Sequence, residues 1–402
     1  MLDTYYAGET NVEKQAYPAV VNTRFVQQFT NLGQGSSQFV ISPNGGVSDI
    51  IMQFVTPASA GGNYTLLALN QGWGYALINR ISVRYGSSAQ YFWSGTQMYL
   101  QNLLDAENNP KCDQIAAIGG AAAAGAACGS ASAYVYLKLP HNSIRAAGKP
   151  LPFASDLLVQ PIVVTVELFS LASIMTQQGG SLTTAPNALA SAQLQVKQEM
   201  LTDSSDALAR RVDMNSHAYT FPLPYFAQQE TQIQVTTSGS STTCNVNLTG
   251  FRAGEVKSVV LWLQPAAGAS TGSGAYAPLT WQLMNNVQLT YNGEIFSRFD
   301  SGSAVLWNLT ADQKAPVVNT SVQTVGSVAV TPQVNYWTEC PFAQVMLPTE
   351  RDSKLVHGKP ILNAVVQLQF DAPALSTSYV LHAMYLYNAS LLCSRGSAEY
   401  IF

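Results

Sequence analysis

A nucleophile pattern is the first feature of this sequence that could carry catalysis. Residues 268–272 read GASTG, which matches the G-x-S-x-G pattern that holds a serine, here Ser270, on a strained turn between a strand and a helix. The motif lies inside the low-complexity run AAGASTGSGAY, and no helical pattern follows it. Because the pattern acts only in its strand–helix context, we interpret Ser270 as a loop residue.

The histidines are the next candidates, for metal binding or general-base catalysis. None forms an H-x-H or H-E-x-x-H spacing, and the five cysteines include no CxxC pair. The sequence therefore predicts neither a metal site nor a disulfide framework, and the thiols are expected to be reduced in an intracellularly made protein. The four histidines are His141, His217, His357 and His382. His141 and His357 occupy related loops before the two Gly-Lys-Pro segments, and we interpret the histidines as solvated loop residues rather than as metal ligands or general bases.

Carboxylates, phosphate loops and aromatic residues give weaker signals. Asp105 and Glu107 lie at a predicted helix end and Glu350 and Asp352 in a charged loop, so no pair is singled out for glycoside hydrolysis. Residues 148–150, Gly-Lys-Pro, lack the Ser/Thr and the upstream glycine of a phosphate loop, and a structural turn is expected there. An aromatic group is read mainly as β-sandwich core rather than as a sugar-stacking surface: Trp73, Tyr75, Tyr91, Phe92, Trp93 and Tyr99. The sequence predicts no catalytic, cofactor-binding or metal-binding residue.

The composition favours a subunit of an assembly. The chain has 402 residues, 47% of them hydrophobic and only 10% charged, with a net charge of −4 and no Lys/Arg run. A basic nucleic-acid groove is therefore not expected, and no specific nucleic-acid binding is predicted. Low charge fits a molecule whose sides are buried against other subunits. No apolar run reaches the roughly 18 residues of a membrane span, and the first residues do not resemble a signal peptide.

The chain repeats one pattern in its two halves. Residues 78–104 predict a strand, a tight turn at Gly86-Ser87, a short strand and a helix capped by Ser94. Residues 284–309 repeat this order, with Asn292-Gly293 at the turn and Ser301 at the cap. A repeat separated by half the chain indicates two copies of one domain.

Further segments repeat in the same order. YVYLKLP (134–140) matches FAQVMLP (342–348), and Gly-Lys-Pro recurs at 358–360. VVTVELF (163–169) matches AVVQLQF (364–370), and each half ends with an alternating strand. Asn44-Gly45 is a hairpin signal between the second and third strands. Each half thus has about eight short strands with a helix after the fifth, which predicts an all-β chain of two tandem eight-stranded sandwiches.

The repeat also defines the expected domain boundaries. We predict an N-terminal arm at 1–20, a first sandwich at 21–200, a linker at 201–216, a second sandwich at 217–393 and a C-terminal tail at 394–402. Long loops follow both predicted helices, at 105–131 and 311–336, and a Gly/Ala/Ser loop lies at 266–277. Shared positions in the repeat suggest a shared role for the first two loops.

The repeated strand–turn–strand–helix block and the Leu-Pro, Gly-Lys-Pro and alternating-strand segments resemble the double jelly-roll major capsid proteins. That lineage covers tailless bacteriophages, adenoviruses and large eukaryotic DNA viruses. The resemblance extends over about residues 21–395 and concerns architecture and local texture rather than a diagnostic motif. It implies that both sandwiches are jelly rolls and that the chain is a structural protein and not an enzyme.

The resemblance also implies specific partners. Three chains would form a homotrimer with six jelly rolls, a pseudo-hexameric capsomer that tiles an icosahedral shell of a dsDNA virus. Neighbouring capsomers and minor capsid or vertex proteins would be its partners in the virion, after synthesis in the host cytoplasm. The long loops would form the outward tower, while the arm at 1–20 and the tail at 394–402 would grip neighbours or a membrane beneath the shell.

Two other readings stay open at this point. A carbohydrate-binding or carbohydrate-active protein could be built on tandem jelly rolls, but it would call for clustered acids, and the acids here are spread thinly. A minor vertex or spike protein of a virion is the other alternative. Two jelly rolls in one chain favour the major shell protein, because a pseudo-hexameric trimer needs two per chain.

Overall fold

The computed structural model of the chain describes the residues on which the fold rests. These are 20–43, 45–57, 64–66, 73–104, 132–137, 145–146, 149–150, 153–177, 187–201, 212, 216–227, 231–236, 243–248, 255–265, 285–291, 293–298, 323–325, 328–330, 342–346, 359–360, 366–371 and 378–401.

Within the described residues, the first half of the chain contains thirteen strands, most of them short. They are β1 (Val20–Gln28), β2 (Gly35–Ile41), β3 (Gly46–Val55), β4 (Tyr64–Leu66), β5 (Ile78–Tyr85), β6 (Tyr91–Trp93), β7 (Ser132–Tyr136), β8 (Arg145–Ala146), β9 (Lys149–Pro150), β10 (Phe153–Ala154), β11 (Ile162–Leu168), β12 (Met175–Gln177) and β13 (Ser191–Leu201). Two α-helices and two 3₁₀ helices lie among them: α1 (Trp73–Leu77), α2 (Gly95–Leu104), Ser155–Leu157 and Leu171–Ile174.

The described part of the second half contains thirteen more strands. They are β14 (Ala218–Ala227), β15 (Thr231–Thr236), β16 (Thr243–Leu248), β17 (Glu255–Pro265), β18 (Asn285–Tyr291), β19 (Glu294–Arg298), β20 (Gln323–Val325), β21 (Val328–Val330), β22 (Phe342–Met346), β23 (Lys359–Pro360), β24 (Val366–Asp371), β25 (Ser378–Ser394) and β26 (Ser397–Ile401).

Each half forms two antiparallel sheets whose strand orders correspond. In the first half one sheet has the order β1-β13-β3, with β7 and β10 both paired to β3, and the other has the order β2-β11-β5-β6. In the second half the orders are β14-β25-β17-β22 and β16-β24-β18-β19. The chain passes repeatedly from one facing sheet to the other, with β5–β6 and β18–β19 as hairpins within one sheet, which is the jelly-roll arrangement. The predicted all-β fold of two tandem eight-stranded jelly rolls is confirmed.

Period-two alternation places the core between the facing sheets. Along β2, Phe39 and Ile41 are buried while Gln38 and Val40 are exposed, and β16 alternates in the same way. Phe29 sits at the centre of the first core, with its ring edge-on to Phe39 at 4.7 Å between centroids. Full burial of such side chains stabilises the fold by roughly 1.5–3 kcal/mol each.

The strand–turn–strand–helix block of the first half forms as predicted. Ile81, Val83 and Tyr85 point into the core, and Gly86 makes the turn with a positive φ of 57°. Ser94 caps α2, because its Oγ accepts a hydrogen bond from the backbone N–H of Gln97 at 3.1 Å. The helix follows the fifth of the strands that build the two main sheets, as expected.

The hairpin predicted at Asn44-Gly45 is wrong. Gly45 does adopt a positive φ of 74°, which suits a sharp turn. However, β2 pairs with β11 and β3 pairs with β13, so the connection crosses from one sheet to the other. A turn sequence can reverse the direction of the chain. Which strands then pair depends on the sheet in which each strand buries its apolar side chains.

Other local predictions are also corrected. The segment after β3, for which the sequence indicates no strand, contains β4, which pairs with β12. The Gly-Lys-Pro copies place Lys149–Pro150 and Lys359–Pro360 in two-residue strands rather than turns. The loop predicted over 311–336 contains the hairpin of β20 and β21.

The described residues reach only part of the predicted termini and connections. The arm at 1–20 apart from Val20, most of the linker at 201–216, the second helix at 301–309 and the loops at 105–131 and 266–277 lie outside them. The tail predicted at 394–402 contains β26, which follows a two-residue turn and pairs with the end of β25. Its role at the base of a shell stays a prediction.

Candidate functional site

The two histidines within the described residues are far apart and differently placed. His217 is exposed, and its Nδ1 lies 2.9 Å from the hydroxyl of Ser216. His382 is buried in β25, with its ring stacked on Trp262 at 5.1 Å. Ala218 pairs with Ser394, so the two histidines are separated by twelve residues of strand, roughly 40 Å. Where the chain is described, no three His, Cys, Asp or Glu side chains come together as a metal site.

Two carboxylates in the described segments, Asp49 and Glu167, are engaged in structural contacts. Asp49 is buried and accepts a hydrogen bond from the hydroxyl of Tyr136 at 3.2 Å. Glu167 forms an ion pair with Arg80 at 2.6 Å, and the guanidinium of Arg80 also lies over the ring of Phe92. Both partners of this ion pair are partly exposed, so it contributes little stability. Other sequence candidates lie outside the described residues: Asp105, Glu107, His141, Ser270, Glu350, Asp352 and His357.

The aromatic group belongs largely to the core, as expected. Tyr75, Trp93 and Tyr99 are each at most 3% exposed. Tyr75 and Tyr99 pack with ring centroids 5.6 Å apart, and the Tyr75 hydroxyl accepts a hydrogen bond from the backbone N–H of Tyr136. These rings join α1 and α2 to the first jelly roll, so packing accounts for them.

Two buried thiols lie in the second jelly roll, in β16 and β25. They are Cys244 and Cys393. Burial raises the pKa of Cys393 from 9.0 to about 12, so the thiol stays protonated at neutral pH. A protonated thiol is a poor nucleophile, which argues against a catalytic role for this cysteine.

We expect Cys393 to resist alkylation in the folded protein. At pH 8 a pKa of about 12 leaves a thiolate fraction of about 10⁻⁴, against about a tenth for the unfolded thiol. Iodoacetamide labelling followed by peptide mass spectrometry should therefore modify Cys393 only after denaturation in urea. Rapid labelling of this peptide in the native protein would contradict the burial described here.

The two halves meet at a turn-to-turn contact. Residues Arg395-Gly396, which join β25 to β26, lie against the turn after β5 and against Val159 of the first half. The backbone N–H of Val159 donates a hydrogen bond to the carbonyl of Gly396 at 2.9 Å. A Cβ on Gly396 would collide with the Val159 side chain, and one on Gly86 would lie 3.5 Å from the Gly396 carbonyl. The absence of a side chain at Gly396 therefore allows the halves to approach closely, whereas Gly86 is favoured by its positive φ.

Tyr400 of β26 completes this contact. Its side chain is 6% exposed, and its ring packs edge-on against Tyr91 at 4.2 Å and Tyr85 at 6.1 Å between centroids. Burial raises the pKa of both phenols well above the ordinary value, so both remain protonated. The C-terminal strand thus fastens the second half to the first through an aromatic cluster.

The outer face of the β14-β25-β17-β22 sheet is also covered within the chain. We call the outward residues of β17 and β25 the tryptophan face: Ser258, Val260, Trp262, Val380, His382, Met384 and Leu386. All are at most 8% exposed, although they point away from the second core. Gln101 of α2 reaches this face, with its Nε2 3.9 Å from the Met384 sulfur. The first half therefore contacts the face through its helix α2.

The outer face of the corresponding sheet in the first half is different. We call the outward residues of its strands the glutamine face: Val26, Gln28, Ile51, Gln53, Tyr134, Gln193 and Gln195. Its amides form a hydrogen-bonded ladder across four strands. Gln28 donates to Gln193 at 3.5 Å, Gln193 donates to Gln53, and Gln53 donates to the hydroxyl of Tyr134 at 3.1 Å.

A second amide-rich surface lies on the outer face of the β16-β24-β18-β19 sheet. It forms a depression of about 360 Å³ lined by Asn245, Val246, Asn247, Gln288, Thr290, Gln367, Leu368 and Gln369. The lining carries neither a charged group nor an aromatic ring. It offers many donors and acceptors but no acid for glycosidic chemistry and no stacking platform for a sugar.

The sequence reading did not identify these surfaces. The alternation AQLQVKQ places Gln193 and Gln195 on one side of a strand, and this was a usable signal. Neither the pairing with Gln53 nor the coverage of Trp262 can be read without knowing the strand register.

Neither helix in the described part of the chain has the length and apolar character needed to cross a bilayer.

Comparisons with known proteins find similarity in structure but not in sequence. No known protein-family model matches the chain, and no curated protein matches its sequence. Several solved structures share the double jelly-roll fold over nearly their whole length. A chain of the PBCV-1 virus capsid superposes with a TM-score of 0.59 at 13% identity, covering 96% of this chain and 96% of that chain.

Two further structures extend the likeness. A chain of the Sputnik virophage has a TM-score of 0.56 at 10% identity, covering 95% of this chain and 88% of its own. The mavirus major capsid protein has a TM-score of 0.51 at 10% identity, covering 96% and 90% of the two chains. The fold expected from the resemblance is thereby confirmed.

Proposed function

We propose that this chain is a major capsid protein, the structural subunit of an icosahedral dsDNA virus shell. The observation that carries the proposal is the repetition of one jelly-roll strand order in both halves of the chain. The structural similarity to the PBCV-1 capsid and the mavirus major capsid protein supports it, because those matches span both jelly rolls. In this proposal, residues 21–200 and 217–393 are the two wall domains and 201–216 joins them.

The assembled unit would be a homotrimer with six jelly rolls, a pseudo-hexameric capsomer. Each chain supplies two of the six jelly rolls of the capsomer, so three copies complete it. The aromatic cluster at Tyr400 supports this geometry, because it holds the two halves in one orientation. Neighbouring capsomers and minor capsid or vertex proteins would be further partners, and the N-terminal arm could reach a membrane beneath the shell. The location would be the virion, after synthesis in the host cytoplasm.

The native mass of the purified chain tests the proposal. We expect a species of three times 43.1 kDa by multi-angle light scattering, and larger sheets or shells at higher concentration. Ionic strength should be varied, since weak contacts between exposed charges are screened by salt. A monomer at every concentration that hydrolyses or binds a glycan would instead favour a carbohydrate-active protein.

A further inference from the structure

The edge of the β2-β11-β5-β6 sheet is formed by a strand whose sequence favours further pairing. Within the described residues β2 pairs only with β11, so its other edge is the border of the sheet. Its sequence, GSSQFVI, contains no charged residue and no proline, which are common means of protecting an edge strand. The run from Phe39 to Ile41 also combines high β propensity with no charge, as aggregation-prone segments do. This edge therefore needs another kind of protection.

The side chain of Gln27 occupies part of the β2 edge. Its Nε2 donates a hydrogen bond to the carbonyl of Val40 at 2.9 Å, and its Oε1 accepts one from the backbone N–H of Val40 at 3.3 Å. A residue of an adjoining antiparallel strand makes the same two bonds in a hydrogen-bonded pair. The amide of Gln27 thus takes the place of one residue of a further strand.

A second glutamine bonds the backbone just after β2. Gln198 of β13 is 3% exposed, and its Nε2 donates a hydrogen bond to the carbonyl of Ser42 at 3.1 Å. Gln27 lies on β1, which pairs with β13, so both glutamines reach across from the facing sheet. We call Gln27 and Gln198 the amide clasp. It bonds three backbone groups at the end of β2 and joins the two sheets along one side of the first jelly roll.

We infer that the amide clasp prevents β2 from accepting a strand of a second copy of this chain. Strand addition at this edge needs the N–H and C=O of Val40, and the Gln27 amide already bonds both. Alternate residues of a strand face the same edge, so Ser36 and Gln38 are the other pairing positions in β2. Two positions are fewer than the usual length of a strand allows. The inference goes beyond the proposed function, and its tests do not depend on trimer formation.

An amide suits position 27 better than a charged group does. Gln27 lies opposite the core residue Leu194 and is only partly exposed. The ammonium group of a lysine could only donate to the Val40 carbonyl, and the carboxylate of a glutamate could only accept from the Val40 N–H. An amide carries both a donor and an acceptor, so it satisfies both backbone groups without placing a charge beside the core.

Shortening the clasp by one methylene group tests the inference. Gln27→Asn keeps the amide but withdraws it from Val40, while Gln28→Asn makes the same change at the next residue, whose amide bonds Gln193. Hydrogen exchange of the folded full-length chain is measured by mass spectrometry on a peptide that contains Val40. Exchange should become about tenfold faster in Gln27→Asn, because losing one or two hydrogen bonds has an effect of this size. Gln28→Asn should exchange like the wild type.

The second readout is the formation of β-rich aggregates, followed by thioflavin T fluorescence below the unfolding temperature. Gln27→Asn should aggregate several-fold faster than Gln28→Asn, although both variants keep a polar side chain. Adding Val40→Pro to Gln27→Asn should restore the wild-type rate, because proline removes the N–H that a new strand would bond. That N–H bonds Gln27 rather than β11, so its removal costs no bond within the sheet.

Three outcomes would overturn the inference. The first is equal exchange and equal aggregation of the two asparagine variants, and the second is faster exchange in Gln27→Asn without faster aggregation. The third is faster aggregation that Val40→Pro leaves unchanged, since the added strand would then pair elsewhere. Thermal unfolding checks that each variant is folded. Should Gln27→Asn not fold, Gln27→Met, which keeps the length of the side chain but removes the amide, decides by the same comparison with Gln28→Met.

Discussion

Replacing Gly95 with alanine is expected to destabilise the first jelly roll by roughly 4 kcal/mol or more, which is the range of severe core substitutions. A Cβ on Gly95 would collide with the carbonyl oxygen of Tyr75 and would lie 2.7 Å from that of Ile78. Both obstacles are backbone atoms, which cannot rotate away. The start of α2 and the junction of α1 with β5 would have to separate. Urea unfolding of the purified variant measures the loss.

Gly33→Ala is the control for this substitution. The nearest atoms to a Cβ at Gly33 are 3.8 Å away, which is ordinary van der Waals contact. The backbone there requires no positive φ, so alanine should leave the free energy of unfolding unchanged or raise it by up to about 1 kcal/mol. Equal stability of the Gly95 and Gly33 variants would show that α2 can move away from α1 at little cost.

Tyr400→Ala is expected to separate the unfolding of the two halves. Removing a buried aromatic side chain typically costs about 3–5 kcal/mol, and here the lost contacts are those that join β26 to β5 and β6. In the wild type this coupling should give one cooperative calorimetric transition. The variant should show two transitions, the lower one shifted down by several degrees.

Ile401→Ala provides the matched control on the same strand. Ile401 lies on the opposite side of β26 and is 47% exposed, so its truncation should change stability by no more than about 0.5 kcal/mol. If the two variants unfold alike, the aromatic cluster does not couple the halves. Tyr400→Phe would further separate the contribution of the ring packing from that of the phenol hydroxyl.

The repeat made the architecture predictable because each copy reinforces the other. The block from Ile81 to Leu104 combines a period-two strand, a turn glycine and a capping serine, and all three are local signals. The Ser-Gly pair at 94–95 also recurs at 301–302. Helix capping explains the serine, Ser94. The need for glycine at position 95 follows only from the structure, in which the carbonyl groups of Tyr75 and Ile78 lie next to Gly95.

What could not be predicted depends on pairs of residues distant in sequence. Asn44-Gly45 carries a strong hairpin signal, yet the tertiary pairing of β2 with β11 determines where the chain goes. Likewise, a sequence shows Tyr400 as one member of a short polar tail, while its burial depends on β6, which lies in the other half. The ladder of glutamine side chains is hidden for the same reason, since Gln53 and Gln193 meet only across paired strands.

The contact between Tyr400 and Tyr91 has a consequence for the timing of biosynthesis. About 300 residues separate these two rings in the chain, and at roughly 5–20 residues per second the ribosome needs about 15–60 s to make that length. Domains generally fold as they emerge, so the first jelly roll can form while the place for β26 is still empty. The halves become fastened only after every strand of the second jelly roll has been made. Translation itself thereby delays the rigid two-domain state until both jelly rolls have been synthesised.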